Sequence, residues 1–230
     1  MPKAKIPRSN LLWSSDLAYA VGLITTDGNL SSDGRHVSLT SADKQLLSTF
    51  KKCLGKNNKL YINPPSSLSK KTVYRVQIGD VVLYSWLERI GLMPNKSLTI
   101  AELKIPNNYF RDFLRGHLDG DGSLIYYKDS YNTKINPKYV YTRFFVYFRS
   151  ASEKHILWLR GRISKILGTH GSISALKSKT QKGSSQEFTL KFSTNEAKII
   201  VNWIYYQQNL PCLKRKYKTA RPFLKSFTSQ

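Results

Sequence analysis

The chain has 230 residues, of which 40% are hydrophobic, enough to bury a core as one large domain or two small ones. Its 37 lysines and arginines outnumber its 14 aspartates and glutamates, which gives a formal net charge of +23. Such an excess favours nucleic acid as partner over an anionic membrane or a basic surface with no specific partner. No apolar run approaches the ~20 residues that a membrane span needs, so no membrane partner is expected.

The distribution of the basic residues indicates which part of the protein binds anions, and the small number of cysteines indicates the type of cellular compartment. Lysines and arginines occur throughout the chain, so the folded domain, and not a basic tail, is expected to build the anion-binding surface. Cys53 and Cys212 indicate a reducing, intracellular compartment without a disulfide framework. No targeting signal is visible at the N-terminus, which is compatible with a prokaryotic cytoplasm or with an organelle that encodes the protein.

The first half opens with the apolar stretch YAVGLITTDGNL at 19–30, which is typical of a helix that runs into a strand. HVSLTS then predicts a strand, and DKQLLSTFKKCLG predicts a helix that ends at Gly55. KLYIN and VYRVQIG predict two more strands joined by the loop PPSSLSKKT, and DVVLYSWLERIGL predicts a helix that closes near Pro94. The order is therefore helix, two strands, helix, two strands, helix.

The second half repeats this order. It opens with LRGHLDGDGSLIYY at 114–127 and continues through the strand TRFFVYFRS, the helix SEKHILWLRGRISKILG, the strands SISAL and EFTLKFS, and the helix NEAKIIVNWIYYQQN. We predict an α+β fold of two pseudo-symmetric αββαββα repeats, at 1–95 and 108–230, joined by a linker at 96–107. The second repeat differs mainly by a longer first hairpin, around 127–140.

Alternation along the strands predicts a sheet with one apolar core face and one polar face in each repeat. An ordinary solvated strand face would look the same, but arginine and glutamine on a basic protein can also make bidentate contacts to guanine and adenine in the major groove. We therefore predict base readout by the polar faces. The candidate DNA-binding residues are His36, Ser38, Thr40, Arg75, Gln77, Arg143, Tyr147, Arg149, Glu187, Thr189 and Lys191.

The stretches at 19–30 and 114–127 share small residues four apart, which let two helix backbones come close. Gly116 and Gly120 have this spacing in the second stretch, as Gly22 and Thr26 have in the first. If the two helices pack along these faces, their C-terminal ends meet and bring Asp27 and Asp121 together. Carboxylates oppose the helix dipole at this end and repel each other. A pair of divalent ions, about 3.5–4 Å apart when they clamp a scissile phosphate, would offset both effects.

The residues VGLITTDG and RGHLDGDG resemble two copies of the LAGLIDADG motif of the homing endonucleases. Two motifs in one chain are similar to the single-chain, pseudo-symmetric members of that family. The resemblance implies paired motif helices at the core and two saddle-shaped antiparallel sheets that grip the DNA major groove. The motifs depart from the family pattern, without touching the aspartates, at Ala20, Val21, Thr25, Thr26, Arg115 and His117.

The resemblance also implies the metal ligands. Asp27 and Asp121 would bind two or more Mg²⁺ ions, for which Mn²⁺ would substitute, with help from the backbone carbonyls of Thr26 and Gly120. Asp119, whose counterpart in the first motif is Thr25, is not assigned a metal. The implied activity is metal-dependent phosphodiester hydrolysis that makes a site-specific double-strand break in a long, asymmetric DNA target. The protein would act as a monomer on double-stranded DNA and need no protein partner.

Basic residues complete the implied catalytic site. Lys96, in PNKS, matches the family's lysine of the first half. In the second half CLKRKYK offers Lys214 and Lys216, and we prefer Lys216 because RKY lies in the family's usual place. His117 is expected to pack at the helix interface and not to take part in catalysis.

Two short patterns in the sequence resemble other functional sites but fit them poorly. DGDGS at 119–123 lacks the glycine and glutamate that an EF-hand loop needs at its sixth and twelfth positions. Asp80 with Glu102 and Lys104 fits a short nuclease pattern that arises easily by chance. An intron RNA maturase or a DNA-binding protein of the same fold without cleavage remains the alternative. The target sequence, the host and an intron or intein origin stay open.

Overall fold

The computed structural model describes residues 11–64, 72–180 and 183–225. Over these ranges it shows a mixed α+β protein with seven α-helices and two four-stranded antiparallel sheets, which confirms the predicted fold class. The loop predicted between KLYIN and VYRVQIG, mostly at 65–71, and the N-terminal stretch searched for a targeting signal, at 1–10, lie outside the described residues. In the part of the chain that the structure describes, no helix is long and apolar enough to cross a membrane.

The elements of the first repeat follow the predicted order. They are α1 (Ser15–Thr26), β1 (Gly28–Leu30), β2 (His36–Ser41), α2 (Lys44–Cys53), β3 (Leu60–Asn63), β4 (Val73–Gly79) and α3 (Val81–Arg89). A short 3-10 helix at Asn107–Tyr109 then leads into the second repeat. Its elements are α4 (Phe110–Asp119), β5 (Ser123–Asp129), β6 (Tyr141–Ser150), α5 (Glu153–Leu167), β7 (Ser172–Thr180), β8 (Gly183–Ser193), α6 (Thr194–Ile204) and α7 (Lys214–Ala220).

The structure differs from the sequence prediction in the length of one hairpin, in the end of one helix and in one additional helix. The β7–β8 hairpin is longer than SISAL and EFTLKFS because backbone pairing continues to Thr180 opposite Gly183, through a polar stretch without apolar alternation. The last predicted helix stops at Ile204 instead of continuing through YYQQN. The sequence reading also missed α7, which is only seven residues long and strongly basic, so it has little apolar periodicity to reveal it.

Both sheets have the same topology. The strand order is β1-β2-β4-β3 in the first sheet and β5-β6-β8-β7 in the second. The two central strands face each other in register, with Ser38 opposite Gln77 in the first sheet and Tyr147 opposite Lys191 in the second. Residues directly opposite each other in an antiparallel pair lie on the same face, so these pairs define the polar face of each sheet.

The other face of each sheet is buried. In the first sheet the core positions Val37, Leu39, Val76 and Ile78 are at most 1% exposed, as the predicted alternation requires. In the second sheet the buried positions are Phe144, Val146, Phe148, Leu190 and Phe192. Burial of about 25 cal/mol per Å² of apolar surface makes these faces the main stabilising contribution to the two sheets.

The chain divides into two compact units. One consists of Met1–Gly120 with Pro211–Leu213, and the other of Asp121–Leu210 with Lys214–Gln230. α4 therefore packs with α1 in the first unit, although it opens the second repeat in the sequence. The predicted boundaries of the repeats and their linker describe the sequence pattern and stay a prediction.

Side-chain caps fix the start of several helices. Ser14 Oγ accepts a hydrogen bond from Leu17 N (3.1 Å) at α1, and Asp80 Oδ1 accepts one from Leu83 N (2.9 Å) at α3. Burial alone would raise the pKa of Asp80, but the bonds from Leu83 N–H and Lys56 outweigh it and hold the pKa below its ordinary value. Asp80 thus has a structural role in helix capping.

Candidate active site

The motif helices α1 and α4 touch through their glycines. A Cβ atom added to Gly116 would lie 2.1 Å from Tyr19 O and 3.1 Å from the Cα of Gly22. One added to Gly22 would lie 2.2 Å from Phe113 O. These separations leave no room for a side chain, so the predicted glycine contact between the helices is confirmed.

Asp27 lies at the C-terminal end of this helix pair. It follows the last residue of α1, is half-buried, and its N–H donates to Leu23 O at 3.0 Å. A Cβ on Gly120 would lie 3.3 Å from Asp27 Oδ2 and 1.9 Å from Thr26 Oγ1. The Asp27 carboxylate therefore lies against the backbone of the residue that precedes Asp121. Asp121 begins the second unit and its side chain is exposed.

Both candidate lysines are buried and make the same kind of bond. Lys96, 6% exposed, donates from Nζ to the carbonyl oxygen of Gly28, the residue after Asp27. Lys216, 5% exposed on α7, donates to the carbonyl oxygen of Gly122, the residue after Asp121, at 2.7 Å. Lys214 is exposed. Lys216 is therefore the geometric counterpart of Lys96, and its catalytic role stays a prediction.

α4 buries an ion pair that the sequence reading missed. Arg115 and Asp112 are both fully buried, and Arg115 Nη2 donates to Asp112 Oδ1 at 2.7 Å. Arg115 Nε donates to Pro211 O at 2.8 Å, and the guanidinium lies 5.4 Å from the centre of the Tyr19 ring. The available sequence signal was Arg115 itself, a long basic residue at a position of the motif that departs from the family pattern.

Asp119 is a structural carboxylate, 1% exposed in the first unit. Its Oδ2 accepts hydrogen bonds from Tyr19 Oη (2.9 Å) and from Leu213 N (2.7 Å). Burial, followed by the charge and hydrogen bond of Asp119, raises the pKa of Tyr19 well above its ordinary value. These two bonds explain Asp119, the first aspartate of the DGDG stretch, without any ion.

Three hydrogen bonds anchor the segment Pro211–Leu213. Besides the bonds from Arg115 and to Asp119, Gln45 Nε2 donates to Cys212 O at 3.0 Å. The segment is therefore held to the first unit by α4 and α2. His117, 1% exposed, packs edge-on against the Phe113 ring with centroids 6.0 Å apart, which agrees with the packing role expected for it.

The polar face of the first sheet carries its predicted residues side by side. Arg75 is opposite Thr40, and its Nη2 lies 3.2 Å from Gln77 Oε1 and 3.5 Å from Ser38 Oγ. Ser38 is only 6% exposed because these longer side chains cover it. His36 Nδ1 lies 2.5 Å from Asp33 Oδ2, and this bond, with backbone N–H groups, lowers the pKa of Asp33 to about 2.

The register places three further residues on that face which the prediction did not include. Asn29 is opposite Ser38, Tyr61 is opposite Arg75, and Asn63 ends β3 two positions further along. All three side chains are exposed. They were missed because β1 and β3 are only three and four residues long, too short for alternation to assign a face.

In the second sheet the predicted arginines face carboxylates. Arg143 Nε donates to Asp129 Oδ2 at 2.9 Å, and Arg149 Nε lies 3.8 Å from Glu187 Oε1. Lys191 Nζ lies 4.3 Å from the centre of the Phe145 ring and 5.9 Å from that of Tyr147. Thr189, opposite Arg149, is 7% exposed. Burial, and then the neighbouring Tyr127, raises the pKa of Tyr147.

Oxygen donors dominate the ends of the motif helices. In the described part of the chain no group of three or more His, Cys, Asp and Glu residues could hold a metal ion. The Asp27 carboxylate instead lies beside the backbone of Gly120, where Thr26 leaves no room for a Cβ. Carboxylate and carbonyl oxygens are hard ligands, the type that Mg²⁺ prefers, so the donor set fits this ion.

Comparison with known proteins identifies the fold. Residues 14–91 match the family model described as a LAGLIDADG-like domain. The I-LtrWI LAGLIDADG homing endonuclease bound to target DNA is 12% identical, covers 91% of this chain and 89% of its own, and superposes with a TM-score of 0.53. The homing endonuclease I-WcaI bound to its DNA recognition sequence is 12% identical, with coverages of 95% and 93% and a TM-score of 0.55.

A third solved structure is similar in the same way. Full-length DUF199/WhiA from Thermatoga maritima is 15% identical and has a TM-score of 0.54. The match covers 95% of this chain but only 64% of that protein, so this chain spans less than two thirds of its length. No curated protein matches the sequence significantly.

Proposed function

Starting from the LAGLIDADG-like domain and the two-motif LAGLIDADG fold of this chain, we propose that it is a site-specific DNA endonuclease. It hydrolyses phosphodiester bonds in both strands of a long, asymmetric target and acts as a monomer. The fold also occurs in DUF199/WhiA, so the proposal depends on the site more than on the fold.

One observation carries the proposal. At each motif end a buried lysine, Lys96 or Lys216, donates to the carbonyl of the residue that follows the motif aspartate. Burying an ammonium group costs free energy, since the charged form loses hydration. Two such groups at equivalent places, each next to Asp27 or Asp121, are expected of a site that handles developing negative charge. A surface that only binds DNA needs no buried lysines.

Asp27 and Asp121 would hold the divalent ions, with the carbonyls of Thr26 and Gly120 as further ligands. When bound, Mg²⁺ would polarise the scissile phosphates and lower the pKa of attacking water. The chain supplies fixed positive charge: Lys96 and Lys216 stabilise the anionic transition state from positions set before the substrate arrives. Each aspartate mainly serves one strand, which gives a double-strand break.

The partner is double-stranded DNA. The net charge of +23 favours association with phosphates, and the two sheets offer polar faces of the right character for the major groove. Because the two faces carry different residues, each half of the target is expected to have its own sequence, and the target is therefore asymmetric.

Asp27→Asn and Asp121→Asn test the proposal. Each change removes a charge and keeps the size of the side chain, so we expect DNA binding within a few-fold of the parent and no double-strand cleavage. Supercoiled plasmid carrying a selected target would be incubated with and without Mg²⁺, and binding measured by filter retention. Glu88→Gln, which removes an exposed carboxylate from α3, is the control and should cleave like the parent.

Residual nicking by one variant fits the proposal, because the other aspartate still serves its strand. Full double-strand cleavage by either variant would remove the assigned site. A parent protein that binds its selected duplex but never cleaves it, with Mg²⁺ or Mn²⁺, would instead indicate the alternative, a DNA-binding protein or an RNA maturase of this fold.

A further inference from the structure

The outer face of the second sheet, which the strand alternation predicted to be polar, is rich in apolar and aromatic side chains. The register places Tyr127 opposite Arg143 and Ile125 opposite Phe145, and Tyr147 opposite Lys191 continues the same face. Ile125 is 44% exposed and Tyr127 is 50% exposed. We call the five apolar and aromatic residues of this face on β5 and β6 the apolar strip: Ile125, Tyr127, Tyr141, Phe145 and Tyr147.

The equivalent face of the first sheet is different. Its exposed and half-buried positions carry mainly hydrogen-bonding side chains, and Tyr61 is its one aromatic residue among the described positions. These side chains are Asn29, His36, Thr40, Asn63, Arg75 and Gln77. Two sheets of the same topology therefore present different chemistry on equivalent faces.

The cations on the second face are already engaged. Arg143 bonds to Asp129 and lies 5.7 Å from the centre of the Tyr141 ring, and Arg149 faces Glu187. The Lys191 ammonium lies over the rings of Phe145 and Tyr147. Direct hydrogen bonds to bases would have to compete with these contacts, whereas Ile125, which is 44% exposed, offers apolar surface directly.

We infer that the second sheet recognises the C5-methyl group of thymine, so that one half of the target is rich in thymine. This inference rests on the proposed function and names the substrate of that site more closely. In the major groove the thymine methyl is the one apolar feature of a base pair, and apolar side chains are what contact it. The positive charge of the chain favours DNA over a protein partner for this face.

The experiment exploits deoxyuridine, which differs from thymidine only by the missing methyl group. A duplex would first be selected from a randomised library, and thymines would then be replaced by uracil in one half-site at a time. Each methyl that the strip contacts is worth about fourfold in affinity. We expect weaker binding, by about that factor for each replaced thymine in contact, in one half-site only.

Two variants assign the effect to the sheet. Ile125→Ala combined with Phe145→Ala should clearly reduce the uracil penalty, because two adjacent apolar side chains of the strip are removed. Gln77→Ala, on the first sheet, should keep the uracil penalty. A selected duplex that tolerates uracil in both halves, or a penalty of undiminished size in the double variant, would overturn the inference and leave the apolar strip to a protein partner. Selection that yields no preferred duplex would overturn the proposed function as well.

Discussion

The two motif helices occupy equivalent places with different chemistry. α1 buries Leu17 through Thr25 with no charged side chain among them, whereas α4 buries Asp112, Arg115, His117 and Asp119. α1 needs only apolar packing, but α4 must satisfy each buried charge, which it does through an ion pair, Tyr19 and the segment Pro211–Leu213. The two helices therefore hold equivalent positions by different interactions. The stability of α1 depends mainly on apolar packing, whereas that of α4 depends on polar partners outside the helix.

The two sheets likewise share their architecture but differ in the chemistry of their outer faces. The strand order and the buried face are shared, so topology is fixed by apolar alternation. The outer faces are free to differ, because packing does not select those residues. The following variants test which features the two repeats share and which belong to one repeat alone.

The largest effect is expected where the repeats are equal, at the helix crossing. Gly116→Leu and Gly22→Leu would each place a side chain where backbone atoms lie within 2.2 Å of the first added carbon. Overpacking typically costs about 1–3 kcal/mol where side chains can adjust. Here the obstacle is backbone on the facing helix, so we expect a cost well above that range and loss of cleavage. Thermal melts and plasmid cleavage would measure both.

Gly161 provides the matched control, since a Cβ added there would meet nothing within 4 Å. It lies inside α5, where alanine is favoured over glycine by up to about 1 kcal/mol, so Gly161→Ala should raise the melting temperature. If Gly116→Leu melts and cleaves like the parent, the close approach of α1 and α4 is wrong.

The next largest loss of stability is expected from a change in the second motif alone. Arg115→Met keeps the aliphatic part of the side chain but removes the partner of the buried Asp112 and the donor to Pro211 O. Removing one member of a buried pair costs about 3–5 kcal/mol, which chemical denaturation would measure. Arg35→Met, at an exposed arginine of the first repeat, is the control and should change stability by less than about 0.5 kcal/mol.

Variants of the two buried lysines test whether the two motif ends contribute equally to the rate of cleavage. Lys96→Met and Lys216→Met should each slow cleavage by about 10²–10³-fold, the range for losing one preorganised donor, while DNA binding changes little. Lys214→Met, at the exposed neighbour, should cleave nearly as fast as the parent. Cleavage rates at saturating enzyme would decide it. A large loss for Lys214→Met and none for Lys216→Met would reverse the assignment.

The smallest loss of stability is expected from the side-chain helix caps, which differ between α3 and α6. Asp80 caps α3, but Ser193 makes no side-chain cap bond at α6. Asp80→Ala should therefore cost about 1 kcal/mol at pH 7, and Ser193→Ala close to nothing.

The pH dependence of this difference has a definite sign. The folded-state pKa of Asp80 lies below its ordinary value of 3.8, so its stabilisation is fully present above that value. The stabilisation is lost as the pH falls through the folded-state pKa, where the carboxylate takes up a proton. Denaturant titrations at pH 7 and at the acid limit of folding would show the Asp80→Ala penalty shrink. A penalty that stays constant with pH would contradict a charged cap.

Much of the molecule could be predicted from local pattern. The alternation in VYRVQIG predicted that Val76 and Ile78 are buried, and they are. The spacing of Gly22 and Gly116 within their motifs predicted the helix contact. Buried Arg115 and Asp112 could not be found in this way, because charged residues are expected at the surface unless their partners are known. The roles of Asp27 and Asp121 in metal binding stay a prediction.

The sequence by itself determined the order of elements, the core face of each sheet and the positions of the two motifs, because periods of 2.0 and 3.6 residues act over short stretches of chain. Tertiary structure alone decided that Lys216 donates to the carbonyl of Gly122, the residue after Asp121. It also decided how Pro211–Leu213 is anchored to α4 and that Ile125, Phe145 and Tyr147 lie on one face of the second sheet. These arrangements join residues far apart in the chain, and only strand register and helix packing bring such residues within contact distance.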